Sequence, residues 1–163
     1  MLNLQDVYNR KRVLVITGTT GFDSLIQAID ENRELENAYD IVLQIGEGTY
    51  KPKHKTYFEF DNQLKQKISE YDFFITHAGA GTIFMLLEYG KRVLVVPNTD
   101  RADKHQIELA QYVGSSHLCA VCPDVASIAE HIENINFTTS GLHSYEKKEF
   151  SAAREILNYI YES

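Results

Sequence analysis

The sequence lacks tryptophan and is poor in cysteine, proline and positive charge. Its apolar runs are short, whereas a membrane-spanning helix needs about 20 consecutive apolar residues. No basic start followed by an apolar core marks a signal peptide, so we expect a cytoplasmic protein. The sequence has 23 aspartates and glutamates and 16 lysines and arginines, which gives a net charge of −7. With a single basic cluster, Lys51–Lys55, this charge argues against nucleic acid as a partner.

The two cysteines are spaced like half of a zinc site or like a redox pair, as Cys119-Ala-Val-Cys122. A structural zinc ion needs four ligands, and the sequence contains no second pair. A redox pair needs its reactive thiolate at the start of a helix, but Cys119 lies in a strand-like segment and Pro123 separates the pair from the next helix. We therefore predict that both thiols are inert and behave as small buried hydrophobes.

Apolar runs that favour β-strands alternate along the chain with segments of helical periodicity. The predicted strands are Arg12–Thr17, Ile41–Ile45, Tyr57–Phe60, Phe73–Ile75, Val93–Val96 and Leu118–Val121. One predicted helix follows Gly21, and the others span Leu64–Tyr71, Thr82–Tyr89, Lys104–Val113, Asp124–Ile132 and Ser144–Tyr161.

Continuous apolar strands that alternate with helices are typical of a parallel sheet with helices on both faces. We therefore predict an α/β fold with a Rossmann-like parallel sheet. A chain of 163 residues predicts one domain, with a core at about residues 12–135 and a C-terminal helix at about residues 144–161 that packs back across it.

Three polar or glycine-rich loops follow predicted strands: Gly18–Gly21, His77–Thr82 and Pro97–Gln106. The carboxyl ends of parallel strands lie at one edge of the sheet, where such folds bind their ligands. We expect the three loops to share that edge.

The segment His77–Thr82 contains Gly79 and Gly81 directly before a predicted helix. Glycines let backbone N–H groups approach an anion, and the helix start adds a positive dipole end, so this loop predicts a diphosphate site. Alternatively, the two glycines only permit a tight turn. The dinucleotide fingerprint is absent because Phe84 occupies the third glycine position, and no Walker loop is present.

Five segments, VLVITGTTGFDSLIQAID, IVLQIGEGTYKP, ITHAGAGT, LEYGKRVLVVP and DKHQIELAQ, resemble in this order the PssE-type catalytic subunits of bacterial two-component exopolysaccharide glycosyltransferases. They are also similar to the small soluble subunit of the eukaryotic two-subunit N-acetylglucosaminyltransferase that extends dolichol-linked chitobiose. The resemblance covers roughly residues 12–125. It implies the donor-binding half of a GT-B glycosyltransferase, whose other half is a separate membrane-anchored subunit.

The resemblance places the diphosphate of a UDP-sugar donor at Gly18, Thr19, His77, Gly79, Gly81 and Thr82. It gives His77 a role as a hydrogen-bond donor to a β-phosphate oxygen, which stabilises the UDP leaving group. The alternative for His77 is a structural histidine at the end of a strand.

The resemblance also places the donor sugar near Asp103–Gln106, where Gln106 can donate to and accept from neighbouring hydroxyl groups. Arg101 and His105, together with Lys104, add local positive charge. Alternatively, Lys104–Gln106 is only the exposed first turn of a helix.

The ribose contact is the point at which this chain departs from its relatives. Many of them carry a glutamate one turn into the helix after the glycine loop, whereas this chain has Met85 there. We name Glu88, three residues later on roughly the same face, as the substitute. The alternative is a solvated glutamate beside Gly90.

The implied reaction is an inverting transfer of a sugar from a UDP-sugar to a lipid-diphosphate-linked acceptor. It needs a base on the acceptor hydroxyl, but the sequence has no evident carboxylate dyad, and Asp23 and His105 are weak candidates. Because Asp-x-Asp is absent, we expect neither a metal ion nor another cofactor. We expect the base either on the partner or supplied across the interface.

We expect the chain to be recruited to the inner face of the membrane by its partner and to be inactive alone. The exposed cleft face is expected to carry Phe22, Tyr50 or Tyr57, and it permits a homodimer in isolation. Two other functions stay open: a non-catalytic nucleotide-sugar-binding or regulatory domain, and a nucleotide-sugar epimerase or dehydrogenase. The missing dinucleotide glycines and Tyr-x-x-x-Lys motif disfavour the second of these.

Overall fold

The computed structural model describes residues 10–101, 104–138 and 142–146. Six parallel strands form one sheet in the order β3-β2-β1-β4-β5-β6. The strands are β1 (Lys11–Ile16), β2 (Tyr39–Gln44), β3 (Thr56–Phe58), β4 (Phe73–His77), β5 (Arg92–Val96) and β6 (Ala120–Val121). The predicted Rossmann-like parallel sheet is confirmed.

Five α-helices connect or follow the strands in the described residues: α1 (Asp23–Glu31), α2 (Leu64–Lys67), α3 (Ala80–Glu88), α4 (Lys104–Ser115) and α5 (Ile128–Thr138). Short 3-10 turns lie at Glu34–Asn37, Ile68–Glu70 and Val125–Ser127. Within these described segments, no helix has the length and apolar character that a bilayer crossing requires.

Alternate residues of the central strand β1 enter two separate hydrophobic cores. Val13 and Val15 pack with α1 and α5, whereas Leu14 and Ile16 pack on the opposite face with α3 and α4. All four side chains are buried, because successive side chains of a strand point to opposite faces and both faces are covered. This two-sided burial explains why the strands read as continuous apolar runs.

The chain order reverses between β1 and β4, which are neighbours in the sheet. Helix α1, which follows β1, packs on one face, and helix α3, which follows β4, packs on the other. The two connections therefore diverge at the carboxyl ends of these strands. In open α/β sheets such a point leaves a crevice that binds ligands.

Two predicted elements are shorter in the structure. The helix expected over Leu64–Tyr71 is a single α-turn followed by a 3-10 turn. The strand expected over Leu118–Val121 begins at Ala120, because the N–H groups of Leu118 and Cys119 donate to the carbonyl of Val113 and close α4. Residues 144–146 are not helical, and the rest of the predicted C-terminal helix lies outside the described residues.

Both cysteines are free and buried, as predicted. Burial raises the pKa of the Cys119 thiol to about 12. Burial also raises the pKa of Cys122, whose thiol donates to the carbonyl oxygen of Asp124 at 3.0 Å. Because the thiolate is the reactive form, these shifts leave both side chains unreactive at neutral pH.

The long loop between β2 and β3 is held by a buried carboxylate of α1. Asp30 accepts hydrogen bonds from the Tyr50 hydroxyl at 2.8 Å and from the N–H groups of Lys53, His54 and Lys55 at 2.8, 3.0 and 2.9 Å. Burial alone raises the pKa of Asp30, but these hydrogen bonds outweigh it and hold the pKa below its ordinary value of 3.8. Asp30 therefore stabilises the loop as an ionised group.

We predict that Asp30→Asn lowers the free energy of unfolding at pH 7 by about 1–3 kcal/mol, because an amide N–H2 group then faces backbone donors. The pKa is depressed in the folded state, so the contribution of Asp30 is present above 3.8 and is lost as the pH falls below that value. Urea unfolding of both proteins from pH 7 to pH 3 measures this. Asp40→Asn, on an exposed carboxylate, is the control; equal losses in the two variants would contradict the assignment.

Candidate functional site

The three loops predicted to share one edge of the sheet do so. The Asn98 side chain, after β5, donates from Nδ2 to the carbonyl of Gly21, after β1, at 3.0 Å. Arg101 donates from Nη2 to the carbonyl of Thr20 at 3.2 Å. The loop after β4 contacts the loop after β1 through the ring of His77, which lies against Gly18. The prediction that these loops form a single edge is confirmed.

The imidazole of His77 lies between two glycines from different loops. A Cβ atom at Gly18 would stand 2.8 Å from Cε1 of His77, and one at Gly79 would stand 2.6 Å from Nε2. Gly18 also has a φ of +70°. The ring is half-buried, and Nδ1 lies 3.4 Å from the carbonyl oxygen of Ile16. The Cε1–Nε2 edge of the ring thus lies against Gly79, the residue that caps α3.

Helix α3 begins directly at this ring. Its N-cap is Gly79, which has no side chain to accept from the first-turn N–H groups. A Cβ atom at Gly81, in the first turn, would meet nothing within 4 Å. Packing thus accounts for glycine at Gly79 but not at Gly81. The space beside Gly81 is open, and the adjacent N–H groups with the helix dipole favour an anion there.

The start of α1, at the same edge, is already occupied. The carboxylate of Asp100 accepts from the backbone N–H of Ser24 at 3.0 Å and from its hydroxyl at 2.6 Å. An acidic side chain from the loop after β5 therefore caps α1 and supplies the negative charge that a helix start favours. Of these two helix starts, α3 is the one that leaves room for an external anion.

The other predicted donor residues lie at the same edge of the sheet. Thr82 is half-buried in the first turn of α3, and Thr19 is exposed at the tip of the loop after β1. Gln106, in the first turn of α4, accepts from the N–H of Asn98 at 3.1 Å through Oε1. His105 is exposed and lies 3.7 Å from Glu108 on the same helix.

Glu88, predicted as a ribose ligand, lies at the end of α3 that is far from the glycine loop. It is the last residue of the nine-residue helix α3, which spans about 12 Å at 1.5 Å per residue. It lines a separate cavity with Lys91 and Arg92, at the amino end of β5. A spacing of three residues gives a shared helix face but not a position along the helix axis. Met85 is half-buried in the core.

Asp23 is a loop anchor, which removes it as a candidate base. Its carboxylate accepts from the hydroxyl and N–H of Thr49 and from the N–H of Tyr50. Burial alone raises the pKa of Asp23, but these bonds and the charge of Lys51 lower it below the ordinary 3.8. A carboxylate so stabilised in its ionised form is a weak base. Phe22, expected on the exposed face, is buried instead.

Asn98 and Asp100 organise the edge, and both were missed by the sequence argument. Asn98 is 2% exposed, and its side chain and N–H group together make three hydrogen bonds. The available signal was a short polar side chain two residues after the apolar run that forms β5. Residues of this type cap helices and order turns.

The fold is a Rossmann-like domain, and it matches part of the chain of solved glycosyltransferases. A crystal structure of Acinetobacter baumannii MurG matches with a TM-score of 0.63 at 19% identity, over 94% of this chain and 50% of that one. The glycosyltransferase SnogD from Streptomyces nogalater matches with a TM-score of 0.59 at 20% identity, over 94% of this chain and 38% of that one.

The family is given by the sequence itself. The model of the glycosyltransferase family 28 C-terminal domain matches residues 12–157, which is most of the chain. The chain belongs to this family. An NMR solution structure of ALG13 has the same fold, with a TM-score of 0.64 at 17% identity over 95% of this chain and 99% of that one.

Curated relatives agree with the family. The human UDP-N-acetylglucosamine transferase subunit ALG13 is 37% identical over 113 residues, which are 62% of this chain and 10% of the relative. The Yarrowia lipolytica protein of that name is 29% identical, over 76% of this chain and 70% of the relative. A Prochlorococcus marinus UDP-N-acetylglucosamine--N-acetylmuramyl-(pentapeptide) pyrophosphoryl-undecaprenol N-acetylglucosamine transferase is 30% identical, over 64% of this chain and 31% of the relative. The chain thus spans about a tenth of the human relative.

We predict that Gly79→Ala disturbs the His77 ring, whereas Gly81→Ala stabilises the fold. The first places a methyl group 2.6 Å from Nε2 of His77 and displaces the ring, whereas the second fills open space. Gly81→Ala should stabilise the chain by about 0.5–1 kcal/mol, because alanine favours the helix more than glycine does. Thermal unfolding and the imidazole NMR signals of His77 measure the two effects. Unchanged His77 signals in Gly79→Ala would contradict the packing described above.

Proposed function

We propose that this chain is the donor-binding half of a UDP-sugar-dependent glycosyltransferase. The observation that carries the proposal is the open start of α3, where Gly81 leaves space that no side chain of the described residues fills. A diphosphate suits this space, since backbone N–H groups and the helix dipole both favour a localised negative charge. The names of the curated relatives, UDP-N-acetylglucosamine transferases, support a UDP-sugar as the ligand.

In this proposal the diphosphate lies against the first turn of α3, beside the Cε1–Nε2 edge of His77. As the bond to the sugar breaks, negative charge grows on the β-phosphate, and a fixed donor at this position stabilises the leaving UDP. The two glycines fix the ring in advance, so little reorganisation accompanies the reaction. Gln106 and His105 lie on the α4 side, where the sugar extends. The proposed mechanism needs no metal ion or other cofactor.

A second subunit completes the cleft in this proposal. This chain corresponds to half of the MurG structure, and the ALG13 relatives are named as subunits. We propose that a membrane-anchored partner supplies the acceptor wall and the base, and recruits this chain to the membrane. The Prochlorococcus relative, named for a pyrophosphoryl-undecaprenol substrate, supports a lipid-diphosphate-linked acceptor. The motif resemblance to PssE-type subunits supports an inverting role in bacterial exopolysaccharide or capsule synthesis.

We predict that Gly81→Val reduces UDP affinity at least about tenfold, because a branched side chain fills the space that a phosphate would take. The fold should be unaffected, since a Cβ atom at Gly81 meets nothing within 4 Å. Isothermal titration calorimetry with UDP measures affinity, and thermal unfolding tests the fold.

The control for this variant is Gln111→Val, which places the same side chain at an exposed position of α4. It should leave UDP affinity unchanged. A folded Gly81→Val protein that binds UDP as tightly as the wild type would refute the proposed anion site.

We predict that the purified chain binds UDP-sugar but transfers no sugar by itself. Transfer to a lipid-diphosphate-linked acceptor should begin when membranes containing the acceptor-binding subunit are added, because one half-cleft lacks the acceptor wall. A radiolabelled UDP-N-acetylglucosamine transfer assay measures this. Robust transfer by the chain alone would contradict the two-subunit proposal, and binding without transfer under every partner condition would favour a regulatory domain.

A further inference from the structure

The side chain of Asn98 connects the loop after β5 to the loop after β1. Its Nδ2 group donates to the carbonyl of Gly21 at 3.0 Å, and its Oδ1 atom accepts from the N–H of Asp100 at 3.0 Å. Asp100 in turn caps the start of α1 through Ser24. At 2% exposure, Asn98 makes these bonds away from solvent, where lost partners are most costly.

The backbone N–H of the same residue fixes a side chain on another element. It donates to Oε1 of Gln106 at 3.1 Å, across the start of α4. In a planar carboxamide the nitrogen lies on the opposite branch from the oxygen. Because Oε1 faces Asn98, the N–H2 group of Gln106 is directed away from the loop. One of the two flip states of the amide is therefore selected by a backbone donor.

We propose that Asn98 is a positioning residue for the donor sugar, acting through Gln106. The inference rests on the proposed function, which places the sugar beside Gln106. Asn98 holds its own peptide group in place by bonds to both neighbouring loops, and this peptide group holds the Gln106 amide. Gln106 then presents N–H donors to a hydroxyl or carbonyl oxygen of the sugar, while the diphosphate rests on α3. Asn98 thus affects the sugar and not the UDP moiety.

The experiment compares the affinities of the full chain for UDP and for UDP-N-acetylglucosamine by calorimetry. Four proteins are needed: wild type, Asn98→Ala, Gln106→Ala and the double variant. We expect Asn98→Ala to lose about tenfold in affinity for the UDP-sugar, equivalent to one hydrogen bond, with less than about a threefold change for UDP. The double variant should lose no more than Gln106→Ala alone, because the two residues form one unit.

Two further variants separate positioning from general destabilisation. Tyr39 lies in β2, and its hydroxyl donates a buried hydrogen bond to the carbonyl of Ile132 in α5 at 3.2 Å. Tyr39→Phe removes this bond. It should not alter the ratio of the two affinities. Asn98→Asp keeps the acceptor for Asp100 but sets a carboxylate oxygen against the carbonyl of Gly21, so it should reproduce the loss seen with Asn98→Ala.

The outcomes distinguish this inference from the proposed function. Three outcomes would overturn only the role of Asn98 and would leave the proposed function standing. They are additive losses in the double variant, parallel losses for UDP and UDP-sugar, and a changed affinity ratio in Tyr39→Phe. A wild-type chain that binds neither ligand would overturn the proposed function and this inference together. A sugar-specific, non-additive loss supports both.

Discussion

The reversal of strand order between β1 and β4 is the constraint on which the site depends. Two neighbouring parallel strands send their connections to opposite faces, so no helix can cover the edge between them. The loop after β1 and the loop after β4 are left facing each other, and the ring of His77 fills the gap between Gly18 and Gly79. Everything proposed for the donor depends on this arrangement, because it aligns the start of α3 with the neighbouring loops.

The glycines of this edge serve two different purposes. Gly21 and Gly46 lie where the loops after β1 and β2 touch: a Cβ atom at Gly21 would stand 2.6 Å from the backbone nitrogen of Gly48, and one at Gly46 would collide with the carbonyl oxygen of Gly18. Contacts within the chain therefore require glycine at both positions. Gly81 has no such contact. A glycine that no contact within the chain requires indicates a ligand more strongly than glycines such as Gly21 and Gly46 do.

Much of the fold could be predicted from the sequence, because buried parallel strands are continuous apolar runs and their flanking helices are amphipathic. The joining of three loops at one edge followed from the same pattern. The length of α2 could not be predicted: the segment from Leu64 to Tyr71 has helical spacing, yet its second half is a 3-10 turn. The distance of Glu88 from the glycine loop was not evident either, because sequence spacing gives a helix face but not a position along the helix axis. Asn98 was missed because a short polar residue after a strand indicates a turn, but not the hydrogen bonds to Gly21 and Gln106 that the fold brings about.

Helix α1 carries two loop-binding carboxylates, Asp23 and Asp30, about two turns apart on one face. Together they tie the segment from Thr49 to Lys55 to the helix, and Lys55 adds bonds from Nζ to the carbonyls of Asp30 and Asn32. The conformational entropy of this segment is therefore lost when the domain folds, and not when a ligand arrives. The segment is therefore ordered before any ligand binds, and it adds no ordering cost to binding.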